Sequence, residues 1–247
     1  MQLAFAVVLA VLPALLLVWY FYAHDRRPEP HRVLITTFLL GVAAVLPMLG
    51  WGLLLERWHT PLTNPFAEAV LLGLLIVVPE ELLKFAVLMG YSVRHAAYDE
   101  PMDAVVYGAV AALGLACLEN VLFVLHGDWT TALLRGLTTV PFHAALGAIL
   151  GFYVGQEHFV AGKGRYVLRG LLLVMLIHLV YDVPLLVLRE VALRRGTEAE
   201  VTLPWPLKLA LPLASLVMLI VALNSTYRIV RFLRLKQKPA VMDRENS

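Results

Sequence analysis

Several ionisable side chains lie inside hydrophobic stretches of this 247-residue chain, at spacings that suit acid–base chemistry. Glu80 and Glu81 are adjacent, and Lys84 follows one helical turn after Glu80. His178 and Asp182 are also four residues apart, so in a helix they share one face. Adjacent side chains point about 100° apart in a helix, which predicts different roles for the two glutamates. A buried carboxylate can act as a general base, and an imidazole can orient water.

Two further hydrophobic stretches carry candidate site residues. His143 begins a series of glycines spaced by four, which allows close helix approach, so we expect His143 on a packed interior face. Glu119 and Asn120 interrupt the other stretch. Asp103 follows Pro101 at the start of that same predicted helix, where an acidic side chain favours the helix dipole. The glycines of the series are Gly147, Gly151 and Gly155.

Burial of these charges constrains the fold. A charged side chain at the bilayer centre costs about 2.5–3.5 kcal/mol, so these residues must pair, lose their charge or line a wet cavity. We predict that Lys84 is a structural counter-ion for the glutamates. The two histidines and four acids at similar depths on four helices are poorly explained as structural hydrogen-bonding groups, so together they predict a functional site.

Composition places the chain in a membrane. Hydrophobic residues make up 60% of it, charged residues only 15%, and the mean hydropathy is +0.78. A soluble domain of this length cannot hide so much apolar surface, because its own surface faces water. The net charge of +2 gives no reason to expect nucleic acid as a partner, and the single cysteine, Cys117, excludes an intrachain disulfide.

Seven stretches approach the roughly 20 apolar residues that a membrane-spanning helix needs. We therefore predict an all-α fold: a polytopic transmembrane helix bundle of about seven spans, forming a single integral membrane domain over residues 1–247. Spans three to six would form the catalytic core. The predicted spans are Gln2–Tyr22, Val33–Leu55, Ala67–Tyr91, Met102–His126, Gly136–Gln156, Gly170–Leu188 and Leu207–Tyr227.

The Lys and Arg residues outside the spans predict an orientation. Thirteen lie in loops one, three and five and in the carboxyl-terminal tail, and six lie on the opposite side. Because cytoplasmic loops carry the excess of Lys and Arg, the amino terminus is predicted outside and the carboxyl terminus in the cytoplasm. An odd number of spans, such as seven, places the two termini on opposite sides of the membrane. Arg194 and Arg195 are exceptions to the rule, because this orientation places them outside.

Four short motifs within residues 75–185 resemble those of the PrsW family of intramembrane proteases, and they occur in the family's order. Cys117 and Leu118 are a small departure, since the pattern leads us to expect an aromatic residue or alanine before Glu119. The matching stretches are Pro79–Lys84 for EExxK, Asp103–Gly108 with Glu119–Asn120 for the second block, His143 for the lone histidine and His178–Asp182 for HxxxD.

This resemblance implies an intramembrane endopeptidase that cuts a membrane-anchored regulatory protein, such as an anti-sigma factor, in or near its transmembrane segment. The partners would be that protein substrate and the lipid bilayer. The family is similar in design to the CAAX prenyl-protein endopeptidases, which also combine a glutamate pair with two separated histidines.

Peptide hydrolysis needs an activated water, a proton donor for the leaving amine and stabilisation of the oxyanion. We predict Glu80 or Glu81 as the base, while the histidines orient the water and stabilise the oxyanion. Asp182 would hold the His178 imidazole in place. The predicted catalytic residues are Glu80, Glu81, Glu119, His143, His178 and Asp182, with Lys84, Asn120 and Asp103 in supporting roles.

The sequence is compatible with hydrolysis with or without a metal. It contains neither HExxH nor GxSxG, so zincin and serine mechanisms have no support. Two histidines and one carboxylate suffice for catalytic zinc, and the ligands would then be His143, His178 and one of Glu80, Glu81 or Glu119. We predict no cofactor and a glutamate-activated water, because a zinc site would leave the second glutamate without an obvious task.

Three other interpretations stay open at this stage. A CAAX-type prenyl-protein endopeptidase would use the same residue types. A proton-coupled transporter or channel could use the acids and histidines as a proton relay, although the inverted repeat that such proteins often contain is not recognisable here. A non-catalytic membrane scaffold is the third.

Overall fold

The computed structural model describes residues 2–126, 129–162, 165–197 and 201–237 of the chain. Within these ranges the chain forms helices and contains no strand. A short 3-10 turn follows α4 and a π-helical turn follows α7. The helices are α1 (Gln2–His24), α2 (His31–Ala43), α3 (Val45–Trp58), α4 (Pro65–Gly90), α5 (Pro101–His126), α6 (Trp129–Leu137), α7 (Thr139–Gln156), α8 (Arg165–Leu193) and α9 (Trp205–Lys236).

The helices account for the predicted spans, which confirms the polytopic helical bundle. Among the described residues, six helical segments are long and apolar enough to cross a membrane, with α2 and α3 together forming one of them and α6 with α7 another. Helix α4 has 26 residues but carries four charged side chains, and we count it as the seventh crossing. The orientation of the bundle stays a prediction from the distribution of Lys and Arg.

Proline explains two breaks between consecutive helices, one between α2 and α3 and one between α6 and α7. The break at Ala44 precedes Pro47, and the break at Thr138 precedes Pro141. In both places the proline stands four residues after the last residue of the preceding helix. It therefore lacks the N–H that would bond that residue's carbonyl oxygen. The predicted span Val33–Leu55 is thus divided into α2 and α3. The predicted span Gly136–Gln156 corresponds to α7, and α6 lies almost entirely outside the predicted spans.

Helices α5 and α7 form the centre of the bundle. In the hydrophobic stretches that contain them, 67% of the residues are buried. In the first and last helices the corresponding share is 17%. Three glycines of the predicted series lie at the α5–α7 contact, with Gly147 against the backbone of Gly108 and Gly151 against that of Ala104. Small residues let the two backbones touch, so His143, on the same face of α7, is held in the interior.

We predict that Gly147→Ala lowers stability by about 1–3 kcal/mol, because an added Cβ would overlap the Gly108 carbonyl oxygen of α5. Gly52→Ala is the matched control, since a Cβ at Gly52 meets nothing within 4 Å. Thermal unfolding of both detergent-purified proteins tests this. Equal melting temperatures for the two variants would contradict the close α5–α7 contact.

Candidate active site

Helix α4 carries the two glutamates, and local interactions at its start and middle keep it regular. Asn64 caps the helix by accepting hydrogen bonds from the backbone N–H groups of Phe66 and Ala67, at 2.9 and 3.3 Å. Pro79 leaves the carbonyl of Leu75 without its helical partner. The indole N–H of Trp51, on α3, donates to that carbonyl at 2.6 Å, and α4 continues without unwinding.

The side chain of Lys84 is the centre of the site. Its ammonium nitrogen lies 2.8 Å from Glu80 Oε1 and 2.7 Å from Glu81 Oε1. It also lies 2.7 Å from Nδ1 of His143. All four side chains are buried, so one cation is shared by two carboxylates and one imidazole away from water. The predicted counter-ion geometry is present, and Lys84 contacts both glutamates.

The contact with Lys84 indicates which tautomer His143 adopts. An ammonium group only donates hydrogen bonds, so Nδ1 of His143 must accept from Lys84. The proton of the neutral ring is then on Nε2, which lies 3.6 Å from Oε2 of Glu119. Nδ1 is also 3.1 Å from Glu80 Oε1. His143 therefore touches the buried glutamate with one nitrogen and offers an N–H with the other.

His178 lies between two carboxylates. Its Nδ1 is 2.8 Å from Glu81 Oε1, and its Nε2 is 3.3 Å from Asp182 Oδ2 one turn further along α8. The rings of His143 and His178 meet edge to face, with centroids 5.2 Å apart. Each glutamate thus has its own histidine: Glu80 is next to His143, and Glu81 is next to His178. This division agrees with the different directions predicted for the two carboxylates.

The predicted spans leave Arg135 in the loop between His126 and Gly136, but the structure brings it to the site. It lies on the short helix α6, and its guanidinium donates to Glu119 Oε2 at 2.8 Å. The same guanidinium covers the ring of Phe123 at 3.8 Å. An arginine close to a predicted span end looks the same in sequence as any loop cation. Only the return of α6 over the end of α5 shows that it neutralises Glu119.

A cavity of about 250 Å³ opens between these helices. It has room for several water molecules, since one occupies about 30 Å³ in the liquid. Glu80 reaches this cavity, whereas Glu81 lies behind it and is fully buried. The polar side chains that line the cavity are Glu80, Glu119, Arg135, His143, His178, Asp182, Arg189, Thr139 and Tyr181.

Two of the predicted supporting residues lie elsewhere. The side-chain amide of Asn120 donates to the carbonyl of Ala10 on α1 at 3.0 Å, so it joins two helices. Asp103 is separated from Glu119 by about 24 Å along α5, at roughly 1.5 Å per residue. It accepts from the backbone N–H groups of Asp99 and Glu100, both at 2.8 Å, which fits the predicted position at a helix start.

The donor set resembles that of a metal site, but Lys84 competes for it. Single ligand atoms of Glu80, Glu81, His143 and His178 all lie within 4.8 Å of one another. Two imidazoles with a carboxylate fit zinc by residue type. Yet the ammonium of Lys84 already contacts three of these four residues. The second oxygen of Glu81 is buried and has no hydrogen-bond partner among the described residues, so it is free to accept from water or bind a cation.

A polytopic helical bundle that holds paired glutamates and two histidines beside a cavity between its spans has the residue types that hydrolysis within a membrane requires. The family described as "PrsW family intramembrane metalloprotease" matches residues 29–221, which is most of the chain and includes every residue of the site. The chain belongs to the PrsW family of intramembrane proteases. Its substrate is therefore a membrane-embedded protein.

Individual relatives agree with this assignment. Protease PrsW of Geobacillus kaustophilus is 37% identical over 174 residues, which cover 70% of this chain and 76% of the relative. Protease PrsW of Bacillus subtilis is 36% identical over 182 residues, covering 72% and 82% of the two chains. Protease PrsW of Oceanobacillus iheyensis is 30% identical over 176 residues, covering 70% and 79%. No solved structure is significantly similar to the chain.

We predict that Lys84→Met lowers stability by about 3–5 kcal/mol together with a loss of proteolysis, because Glu80 and Glu81 would be left buried without their cation. Thermal unfolding in detergent measures the first effect and a cleavage assay the second. Lys208→Met is the matched control, since Lys208 is exposed on α9. Unchanged stability of Lys84→Met with no activity would assign Lys84 a chemical role instead.

Proposed function

We propose that this protease hydrolyses a peptide bond in or near the transmembrane segment of a membrane-anchored regulatory protein, such as an anti-sigma factor, with a water activated by Glu80. The observation that carries the proposal is the position of Glu80. It is the one member of the glutamate pair that reaches the cavity, and it does so next to His143. A water in that cavity can approach both the carboxylate and a peptide carbonyl.

The proton balance of this reaction needs only Glu80. Its carboxylate takes a proton from the water as the water oxygen bonds to the carbonyl carbon, giving a tetrahedral intermediate. The resulting carboxylic acid then gives that proton to the leaving nitrogen as the carbon–nitrogen bond breaks. His143 and Arg135 both line the cavity, and the Nε2–H of the one and the guanidinium of the other are the donors that would stabilise the oxyanion.

Glu81 acts through its neighbours in this proposal. It contacts Lys84 and Nδ1 of His178, so it fixes both side chains from behind the cavity. Asp182 holds the other nitrogen of the same imidazole on the cavity side. His178 is thereby fixed in orientation between two carboxylates, as a residue that positions water must be.

The family description includes the word metalloprotease, and a zinc ion bound by His143, His178 and one glutamate would supply Lewis acidity and a more acidic water. We nevertheless propose a metal-free mechanism. The ammonium of Lys84 already occupies the position between the donors, 2.8 Å from Glu80 Oε1 and 2.7 Å from Nδ1 of His143, so a zinc ion bound by the same atoms would have to displace it.

We expect detergent-purified, active protein to contain far less than one equivalent of zinc and to keep its activity after treatment with a strong chelator. Elemental analysis and a cleavage assay before and after chelation measure this. Near-stoichiometric zinc, together with chelator-sensitive activity that zinc restores, would overturn the metal-free mechanism and leave the protease assignment intact.

For the substrate, we expect membrane-protein fragments that are present in cells with the wild-type protein to disappear with the double variant Glu80→Gln, Glu81→Gln. Quantitative proteomics of membrane fractions measures this. The matched control is Glu56→Gln, because Glu56 is exposed on α3 and the fragments should persist. If fragments vanish and the new chain ends map outside transmembrane segments and their flanks, the proposed cleavage position is wrong.

A further inference from the structure

A second group of buried acids lies at the other end of α5 from Glu119. Asp25 and Glu29 come from the link between α1 and α2, and Asp103 comes from the first turn of α5. All three residues are at least 95% buried. Single ligand oxygens of the three lie within 4.8 Å of one another. We refer to these three residues as the acid triad.

No basic side chain of the described residues pairs with the acid triad. Among the described residues, no Lys or Arg side chain lies within ion-pair distance of Asp25, Glu29 or Asp103. Arg27 pairs instead with the exposed Asp99, at 3.6 Å. Burial raises the pKa of Asp25 and that of Glu29, because the charged forms lose water. Three carboxyl groups held this close either keep or share protons or bind a positive ion.

Among the described residues, the hydrogen bonds of the acid triad leave one oxygen of each aspartate without a partner. Oδ1 of Asp25 accepts from the backbone of Arg27 at 2.9 Å and from the Gln237 amide at 2.6 Å, while its Oδ2 is buried and unpartnered. Oδ2 of Asp103 caps α5, while its Oδ1 is buried and unpartnered. Glu29 accepts from the hydroxyl of Tyr107.

We propose that the acid triad binds one hard divalent cation, of the type of Mg²⁺ or Ca²⁺. Three atoms within 4.8 Å of one another all lie within about 2.8 Å of a common point, close to the 2.3–2.6 Å of calcium–oxygen bonds. The donors are all oxygens, which favours these ions over zinc or copper. The two unpartnered aspartate oxygens are the ones such an ion would use.

The cation would connect three parts of the chain that are distant in sequence. Gln237, just beyond the end of α9, donates to Asp25 and to Glu100, and its own side-chain oxygen accepts from the backbone of Arg26 at 3.2 Å. A bound ion therefore fixes the α1–α2 link and the start of α5 directly, and the end of α9 through Gln237. The site is separate from the glutamate–histidine cluster and does not depend on the proposed reaction.

The test is a titration of the full-length, detergent-purified protein with MgCl₂ and separately with CaCl₂ after removal of divalent ions. It is followed by calorimetry and by thermal unfolding. We expect one saturable equivalent of one of the ions and a higher melting temperature. Asp25→Asn and Glu29→Gln should each weaken binding at least about tenfold, since affinity follows ligand charge. Both keep the hydrogen-bonding shape, and Asp103 is left intact because it caps α5.

Asp99→Asn is the matched control, because it removes an exposed acid from the same face and should bind like the wild type. The double variant Glu80→Gln, Glu81→Gln should also bind normally, which separates this site from the catalytic cluster. The proposal is overturned if neither ion gives saturable binding, or if the Asp25 and Glu29 variants bind as tightly as Asp99→Asn.

Discussion

The ion pair of Lys84 with Glu80 and Glu81 is the interaction on which the rest of the structure depends. Three charges within one turn of a membrane-embedded helix would each cost about 2.5–3.5 kcal/mol if they faced lipid alone. The pairing leaves one excess negative charge, and His143 and His178 are placed against it from α7 and α8. Helix α4 must therefore be enclosed by the helices that carry these partners, and the packing of the bundle follows from that requirement.

Close contact between α5 and α7 is what makes the enclosure possible. The glycine contacts of Gly108 and Gly147 bring the two backbones together and place His143 in the interior. The same contact brings Glu119, on α5, to 3.6 Å from Nε2 of His143, on α7. Proline accompanies the breaks after α2 and α6, whereas at Pro79, inside α4, the side chain of Trp51 bonds the freed carbonyl of Leu75.

Much of this could be predicted from the sequence, because hydrophobic length and helical spacing are local properties. The seven stretches, the counter-ion role of Lys84 and the His178–Asp182 pair all follow from residues a few positions apart. Arg135 could not be assigned, since its partner depends on how α6 folds back over α5. Asp103 was placed correctly at a helix start, but its neighbour Glu29 lies 74 positions earlier in the sequence, and no local pattern joins the two.

The acidic side chains at the two ends of α5 differ in burial, in their partners and in the roles that suit them. At one end, Glu119 is only partly buried and forms an ion pair with the long side chain of Arg135. The pair lies beside a cavity that has room for water. At the other end, Asp103 is fully buried and has no basic partner among the described residues. Hydrolysis needs water and charges that can respond to a developing oxyanion, which the first arrangement allows. The second arrangement holds buried oxygens around a small space, which suits a bound ion better than a reaction.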